Sequence, residues 1–591
     1  MIPSISLSRL AAPLALFLAA FLLNAPHLVF GVGDPNFDLF LHYGWARDFA
    51  ESFQVGSLYP RWVAEARYGL GEPTFLFYSP LYFFLVAVFK EAGLATWTAM
   101  QWVEILANTG FAWFIYLTAA RFVSARLALL IALAALFNPF LVMLHYKWQG
   151  FPWASVGHLA TAWLLWALLR QPSRPESVNL HAVPALAVGI LSHVVSAMAL
   201  VIVISAAFLI RSLVDARADG WRSFRPFGGW LLTVAVAVAL SGLYLIPALA
   251  FKGILAAERA WALGVTMQGF AAPFVTAGIY GTQWFLVQWP VSLMALGLFL
   301  TVVVYWFRHR DAFAGRSAQW GLVFWGGAAA ALLASELSFP LWLLDTPLNY
   351  VVVPYRFVYL LMILSVLALG FVADSAQKRG SRLWQSTAGV ALACCVAVGL
   401  ALEYEANGLK GDDLPRTVLE DRPLFEALRE CLLRDGPEAV SARFGECASL
   451  GRGSGPYRGV TEYQLPWAAD GYEPIGLDWR ASVCAPSGIR CGLRERVADG
   501  MQWRVELPGA NTLVMPLFDF PMWRLSVDGA PVPHRTDPAT GLVQIDLDAG
   551  VHTVRAEWQR SDAERWGLLL SLITLALLIA WAFHRRLQAR R

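Results

Sequence analysis

Asp34, Asp38, His42 and Trp45 fall at i, i+4, i+8 and i+11 in a stretch that opens Gly33-Asp34-Pro35-Asn36. Asp34-Pro35 reads as an N-cap followed by proline at the first helical position. A helix starting there brings all four side chains close to one face. Two carboxylates beside an imidazole suit a general base with a partner that tunes it, or a divalent metal ion. Capping alone accounts for Asp34. Asp38 has no such local task, which makes it the base candidate. His42 stands between a role in the site and a structural hydrogen bond.

The loop that follows carries Leu58-Tyr59-Pro60-Arg61-Trp62, then Tyr68-Gly69-Leu70-Gly71-Glu72-Pro73, then Leu76-Phe77-Tyr78-Ser79-Pro80-Leu81. Its glycines and prolines require sharp turns. Arg61 and Arg67 suit an anionic ligand, with Glu65, Asp48 and Glu51 as alternative partners, and Tyr59 stands beside Arg61. A second basic spot is Pro354-Tyr355-Arg356-Phe357, at the end of an apolar run. Arginine there is expensive and is a functional-site candidate by default. A phosphate or carboxylate is its natural ligand, and Asp345 and Glu336 are the protein alternatives. His193, and Lys147 with His145, are weaker candidates for the same site. His158, alone in an apolar run, reads as a packing residue.

The elements that must position these groups are membrane helices. Of 591 residues, 58% are hydrophobic and only 15% charged, against about 25% charged in ordinary soluble domains. Mean hydropathy is +0.53. A net charge of +3, gathered in clusters beside apolar runs, excludes a nucleic-acid partner. Disordered and collagen-like classes are excluded by composition, and no Walker A, GxGxxG or HExxH motif is present.

Apolar runs of membrane-spanning length lie at about 10–30, 97–120, 123–145, 152–170, 181–211, 227–250, 286–307, 319–338, 351–373, 384–402 and 566–583. The run 73–89 holds Pro73, Pro80 and many aromatics, and suits a segment lying at the interface. Basic clusters at Arg121/Arg126, Arg170/Arg174, Arg211–Arg225, Arg308–Arg316, Lys378–Arg382 and Arg585–Arg591 mark cytoplasmic loops. All of them fall inside if the N-terminus is cytoplasmic, 73–89 is interfacial and 181–211 makes two short passes around Gly189, Ser192 and His193. The expectation is a mainly α, polytopic protein of about 12 transmembrane helices in the bacterial inner membrane, with both termini cytoplasmic.

Three parts follow. Residues 1–402 form the transmembrane domain with a large first outer loop, 31–96. Residues 403–563 form an extracytoplasmic α/β insert. Residues 564–591 are the last helix and a basic tail. From 502 the insert turns to strands, at Trp503–Leu507, Thr512–Leu517, Trp523–Val527, Leu542–Leu547 and His552–Trp558, with a tight turn at Asp528-Gly529. This predicts a small β-sandwich. Cys431, Cys447, Cys484 and Cys491 all lie in the insert and read as disulfides, with three pairings open, whereas Cys394 and Cys395 sit in an apolar helix.

The first-loop motifs resemble those of bacterial membrane proteins labelled "6-pyruvoyl-tetrahydropterin synthase-related", similar to YfhO-like proteins and more broadly to the GT-C superfamily of glycosyltransferases. Pro354-Tyr355-Arg356-Phe357 resembles the Pro-Trp-Arg motif of that family. Phe520-Pro521-Met522-Trp523, Val527-Asp528-Gly529 and Gly550-Val551-His552 resemble its terminal β-domain. The chain departs at Lys147-Trp148-Gln149-Gly150, where the family often carries Arg-Gly and then Glu. The resemblance implies a GT-C-like fold and an inverting glycosyltransferase. Its partners would be a polyprenyl-phosphate sugar donor, an envelope glycan, lipid or protein acceptor, and membrane lipids. By this likeness Asp38 is the base, Asp34 a second carboxylate, and Arg356 the contact for the lipid phosphate. The resemblance names no cofactor, and a divalent metal ion stays open. A transporter of lipid-linked glycans and a non-catalytic envelope assembly protein are the competing classes. A transporter should carry charges at mid-membrane on broken helices in repeated halves, whereas these charges sit at the ends of spans.

Overall fold

A computed structural model describes residues 7–30, 37–64, 66, 70–142, 154–170, 176–254, 283–311, 317–344, 346, 348, 351, 354–406, 490–491, 495–538 and 540–590. Most of the insert ahead of the strands, including Cys431, Cys447 and Cys484, lies outside these residues, as does the side chain of Cys491. Among the described residues there is no disulfide, and Cys394 and Cys395 are free thiols.

The chain is a multi-pass membrane protein. Its helices are α1 (Leu7–Phe30), α2 (Phe37–Gln54), α3 (Thr74–Phe77), α4 (Leu81–Glu91), α5 (Thr96–Ala119), α6 (Ala125–Leu136), α7 (Pro139–Val142), α8 (Ala154–Leu169), α9 (Ala182–Asp219), α10 (Arg225–Leu240), α11 (Gly242–Phe251), α12 (Gln283–Arg308), α13 (Ser317–Ala334), α14 (Phe339–Trp342), α15 (Arg356–Lys378) and α16 (Arg382–Ala406). Nine strands follow, and α17 (Asp562–Arg590) closes the chain. The spanning part of α15 is 94% buried. A helix apolar on every side belongs in the core, and α6, α7, α12, α13 and α16 pack around it. In contrast α17 lies on the flank of the bundle. It rests on α11 where Gly567 meets Gly242, and a Cβ on Gly567 would stand 2.5 Å from the Gly242 carbonyl oxygen. Small residues at such a crossing let two backbones approach closely. The Ser571 hydroxyl then accepts from the Leu243 amide at 2.8 Å.

Eight helices among the described residues are long and apolar enough to cross a membrane. Among the described residues that is fewer than the expected twelve passes, for two reasons. Two of the expected spans, 152–170 and 319–338, contain apolar helices of only 10–17 residues, Ala154–Leu169 and Gln319–Ala334. At 1.5 Å per residue the 16 residues of Ala154–Leu169 make about 24 Å, short of a hydrocarbon core of about 30 Å. Further, the run at 181–211 stands as one among these eight, yet α9 breaks at His193 (φ −158°, ψ 88°). A Cβ on Gly189 would stand 3.6 Å from the Cβ of Ala197. A straight helix holds two such residues about 12 Å apart, so the chain turns sharply there. The aromatic run at 73–89 forms α3 and α4, and α4 meets α5 at a bend of 120°. Eleven residues make about 16 Å of helix, too little to span alone.

The strands are β1 (Arg490–Cys491), β2 (Glu495–Val497), β3 (Gly500–Leu507), β4 (Asn511–Phe518), β5 (Trp523–Val527), β6 (Ala530–Val532), β7 (Arg535–Thr536), β8 (Leu542–Leu547) and β9 (Gly550–Trp558). They form two sheets, β1-β3-β9-β5-β6 with β2 on β3, and β4-β8-β7. Alternation along β3 sends Met501, Trp503, Val505 and Leu507 into the core. Asp528 and Gly529 both take positive φ, 52° and 83°, as a type I′ hairpin turn between β5 and β6 requires. The first loop completes this core. Trp62, Leu70 and Leu76 join the apolar cluster of the sheets, and the Phe518 amide donates to the Leu70 carbonyl at 3.1 Å.

Candidate functional site

Helix α2 carries the first group of candidates. Asp38 stands on its first turn, one helical turn before His42 and on the same face. The Asp38 side chain lies outside the described residues, as do Asp34, Arg67, His145 and Lys147 in full. His42 is buried, and its Nε2 shares a hydrogen bond of 2.9 Å with the Tyr78 hydroxyl. The imidazole also meets Trp45 edge-on at 4.8 Å and stacks near Phe83 at 6.2 Å. This face of α2 is therefore turned to the Leu76–Leu81 segment, and Tyr78 is the contact.

Ser79, the next residue, reaches the break in α9. Its hydroxyl donates to the Ile190 carbonyl at 3.0 Å and accepts from the Val194 amide at 3.1 Å. A broken helix leaves backbone groups without intrahelical partners, and one hydroxyl from another segment satisfies two of them. His193 sits in the break, with Nδ1 at 2.6 Å from the Ser196 hydroxyl. On its other side is Gly157 of α8, where a Cβ would stand 3.5 Å from the His193 Cβ. The Arg356 guanidinium lies within electrostatic range of the His193 ring.

Arg356 opens α15. Its Nη1 donates to the Val351 carbonyl at 2.5 Å, and among the described residues it makes no ion pair. Of the two protein partners expected for it, Glu336 is described and does not pair with it, and Asp345 lies outside the described residues. Tyr355 beside it packs near Phe140, with ring centroids 6.3 Å apart. One turn further along α15, Tyr359 meets His158 at 4.3 Å, the packing role expected of that histidine. Helices α8, α9 and α15 thus converge with Ser79 around His193 and Arg356. No group of three or more His, Cys, Asp or Glu among the described residues is placed to hold a metal ion.

Arg61 and Tyr59 sit elsewhere, where the first loop meets the strands and α17. The Arg61 Nε donates to Glu564 at 2.8 Å in a buried ion pair, and the guanidinium lies 3.4 Å over the Tyr59 ring. Burial raises the Tyr59 phenol above its ordinary value, and the Arg61 charge opposes that rise. Glu564 also accepts from the amide and hydroxyl of Ser561, both at 2.9 Å, a capping box at the start of α17. Asp48, expected as a partner for Arg61, instead takes a bidentate bond from Arg496, 2.9 Å to each oxygen. Ser79, Glu564 and Arg496 were not legible as site residues. Ser561-x-x-Glu564 does mark a helix start, but nothing in it points to Arg61.

No protein-family model and no curated protein matches this chain. Two solved structures show a distant similarity to it. One is the arabinofuranosyltransferase AftD from Mycobacteria, at 15% identity and a TM-score of 0.37, over 67% of this chain and 26% of that one. The other is ArnT from Cupriavidus metallidurans, bound to undecaprenyl phosphate, at 16% identity and a TM-score of 0.28, over 64% of this chain and 81% of that one. The chain spans about a quarter of the length of AftD. Neither likeness bears on the YfhO-like naming. The low TM-scores leave the reading of function to this chain's own residues.

Proposed function

We propose that this protein is a membrane glycosyltransferase of the GT-C type. It takes a sugar from a polyprenyl-phosphate carrier on the extracytoplasmic face and transfers it with inversion to a cell-envelope acceptor. Asp38 removes the proton from the acceptor hydroxyl. The freed oxygen forms a bond to the anomeric carbon as the bond to the phosphate oxygen breaks, and polyprenyl phosphate departs. One base on one face of the sugar leads to inversion. Asp34, four positions earlier in the sequence, is a second carboxylate, and Tyr355 and Lys147 are further contacts for donor or acceptor. Arg356 holds the phosphate, whose charge grows as the bond breaks, which is where fixed donors lower the barrier.

The observation that carries this reading is Arg356, at the head of the core helix, without a carboxylate partner among the described residues and beside the break at His193. A cation left unpaired at the end of a membrane helix suits an anion from outside the chain. The contacts from α2 through His42, Tyr78 and Ser79 to that break connect the helix bearing Asp38 with it. The test uses the purified full chain in nanodiscs. Asp38→Asn should lower sugar transfer from a lipid-phosphate donor about 100- to 10,000-fold, with undecaprenyl phosphate still bound. Arg356→Ala should weaken undecaprenyl phosphate binding itself. Full transfer by the Asp38→Asn variant removes this mechanism. The break in α9 also suits a transporter of lipid-linked glycans, which Asp38→Asn would distinguish by leaving export intact.

A further inference from the structure

A cavity of about 240 Å³ opens between the first loop, the strands and the start of α17. Its apolar wall is Tyr59, Trp62, Trp523 and Trp558, and its polar wall includes Arg61, Arg496, Asp499 and Glu564. The three indoles hold one another, Trp62 against Trp523 at 5.2 Å and Trp523 against Trp558 at 5.4 Å, both edge-on. The charges inside are matched, and only the exposed Arg560 at the lining has no ion pair among the described residues. Arg61 pairs with Glu564 at 2.8 Å, Arg496 pairs with Asp48 at 2.9 Å and Glu51 at 3.2 Å, and Asp499 accepts from the Ser57 hydroxyl at 2.5 Å. Four buried donors of its lining residues are left over, the Tyr59 hydroxyl, Nη1 of Arg61 and Nε1 of Trp62 and Trp523.

A site whose inner cations, Arg61 and Arg496, are neutralised by carboxylates has little attraction for an anion in its interior. It offers instead many directional donors and acceptors beside flat apolar rings. That combination matches a neutral polyhydroxylated ring, with hydroxyl edges for the paired charges and a C–H face for the aromatics. The volume falls below the 300–1,000 Å³ or so of pockets that enclose drug-sized molecules, so it admits one ring and not a chain of them. Leu243 and Leu568, from two apolar helices, also line it, which places the cavity where the strands meet the helix bundle.

We infer that this cavity binds one neutral sugar residue of a glycan presented at the membrane surface. On the transferase reading this would be the acceptor, and the inference rests on that reading only for that role. Binding is measured without a lipid donor, so failure here leaves the transfer mechanism standing, and failure of transfer leaves the binding site standing. The full chain in detergent is titrated with methyl glycosides of neutral pentoses and hexoses, followed by tryptophan fluorescence and saturation-transfer NMR. At least one glycoside should give a saturable change. Asp499→Asn should weaken it about tenfold through loss of a charged hydrogen-bond partner, while asparagine tolerates the left-handed backbone there (φ 52°). Trp558→Ala should weaken it about tenfold or more through loss of an aromatic wall. If Trp558→Ala does not fold, the Asp499→Asn result decides. No saturable response to any glycoside overturns the inference. So does binding that Asp499→Asn leaves unchanged, or a response to inorganic phosphate that displaces the glycosides.

Discussion

Glu564 ties three parts of the chain together, and replacing it with glutamine should show how strongly. The carboxylate is 1% exposed and its partner Arg61 9%. One side of it closes the capping box with Ser561, and the other holds Arg61 at 2.8 Å. Glutamine keeps the length and one acceptor oxygen but drops the charge. Arg61 is then a buried cation with no counter-charge, and breaking such a pair from one side costs roughly 3–5 kcal/mol. The retained oxygen argues for the lower end, about 3 kcal/mol. Glu564→Ala also loses the box, adding about 1 kcal/mol. The decisive comparison is Arg61→Met with Glu564→Gln. With the stranded cation removed as well, the double variant should be more stable than Glu564→Gln alone, since an apolar replacement of a whole buried pair is often neutral. Urea unfolding in micelles, followed by tryptophan fluorescence, measures all four corners of the cycle. The reasoning is refuted if the two changes add within about 0.5 kcal/mol, the scatter expected of independent sites.

Other outcomes follow from the same contacts. Ser79→Ala leaves a buried carbonyl and a buried amide of the α9 break without their partner. It should cost about 2 kcal/mol, read as faster hydrogen exchange at Val194, together with slower sugar transfer. Gly71→Ala should cost about 2–3 kcal/mol, read as a lower midpoint of thermal unfolding. Its φ is +84° and an added Cβ would stand 1.9 Å from Nε1 of Trp62. Gly93→Ala, at φ +93° with nothing within 4 Å, should carry only the backbone strain of about 1–2 kcal/mol. His552 is raised above its usual 6.5, first by its hydrogen bond to Asp528. The stabilisation from this exposed pair is then complete below pH 6.5 and fades as pH rises through the raised folded value. An NMR titration should find His552 titrating above 6.5, and Asp528→Asn should bring it down.

The sequence by itself determined the membrane embedding, most helix positions, the five long strands and the Asp528-Gly529 turn. Each is a local matter: hydropathy over about 20 residues, alternation over a few, a dipeptide that accepts positive φ. The anomaly at Gly189–His193 was also visible locally, but its meaning was not. Where such a run can break depends on what satisfies the freed backbone groups, and that partner, Ser79, is 111 positions from Ile190. Arg61 shows the same limit. Its nearby acids were the natural partners to expect, yet it pairs with Glu564, 503 positions away, and Asp48 pairs with Arg496 across 448. The choice is made by packing. The first loop inserts Trp62, Leu70 and Leu76 into the core between the strands, and burial there makes the pairing that forms the one that costs least. Only tertiary structure decided that Arg61 and Tyr59 belong to a cavity under the strands, while Arg356 and His193 belong to the end of the helix bundle.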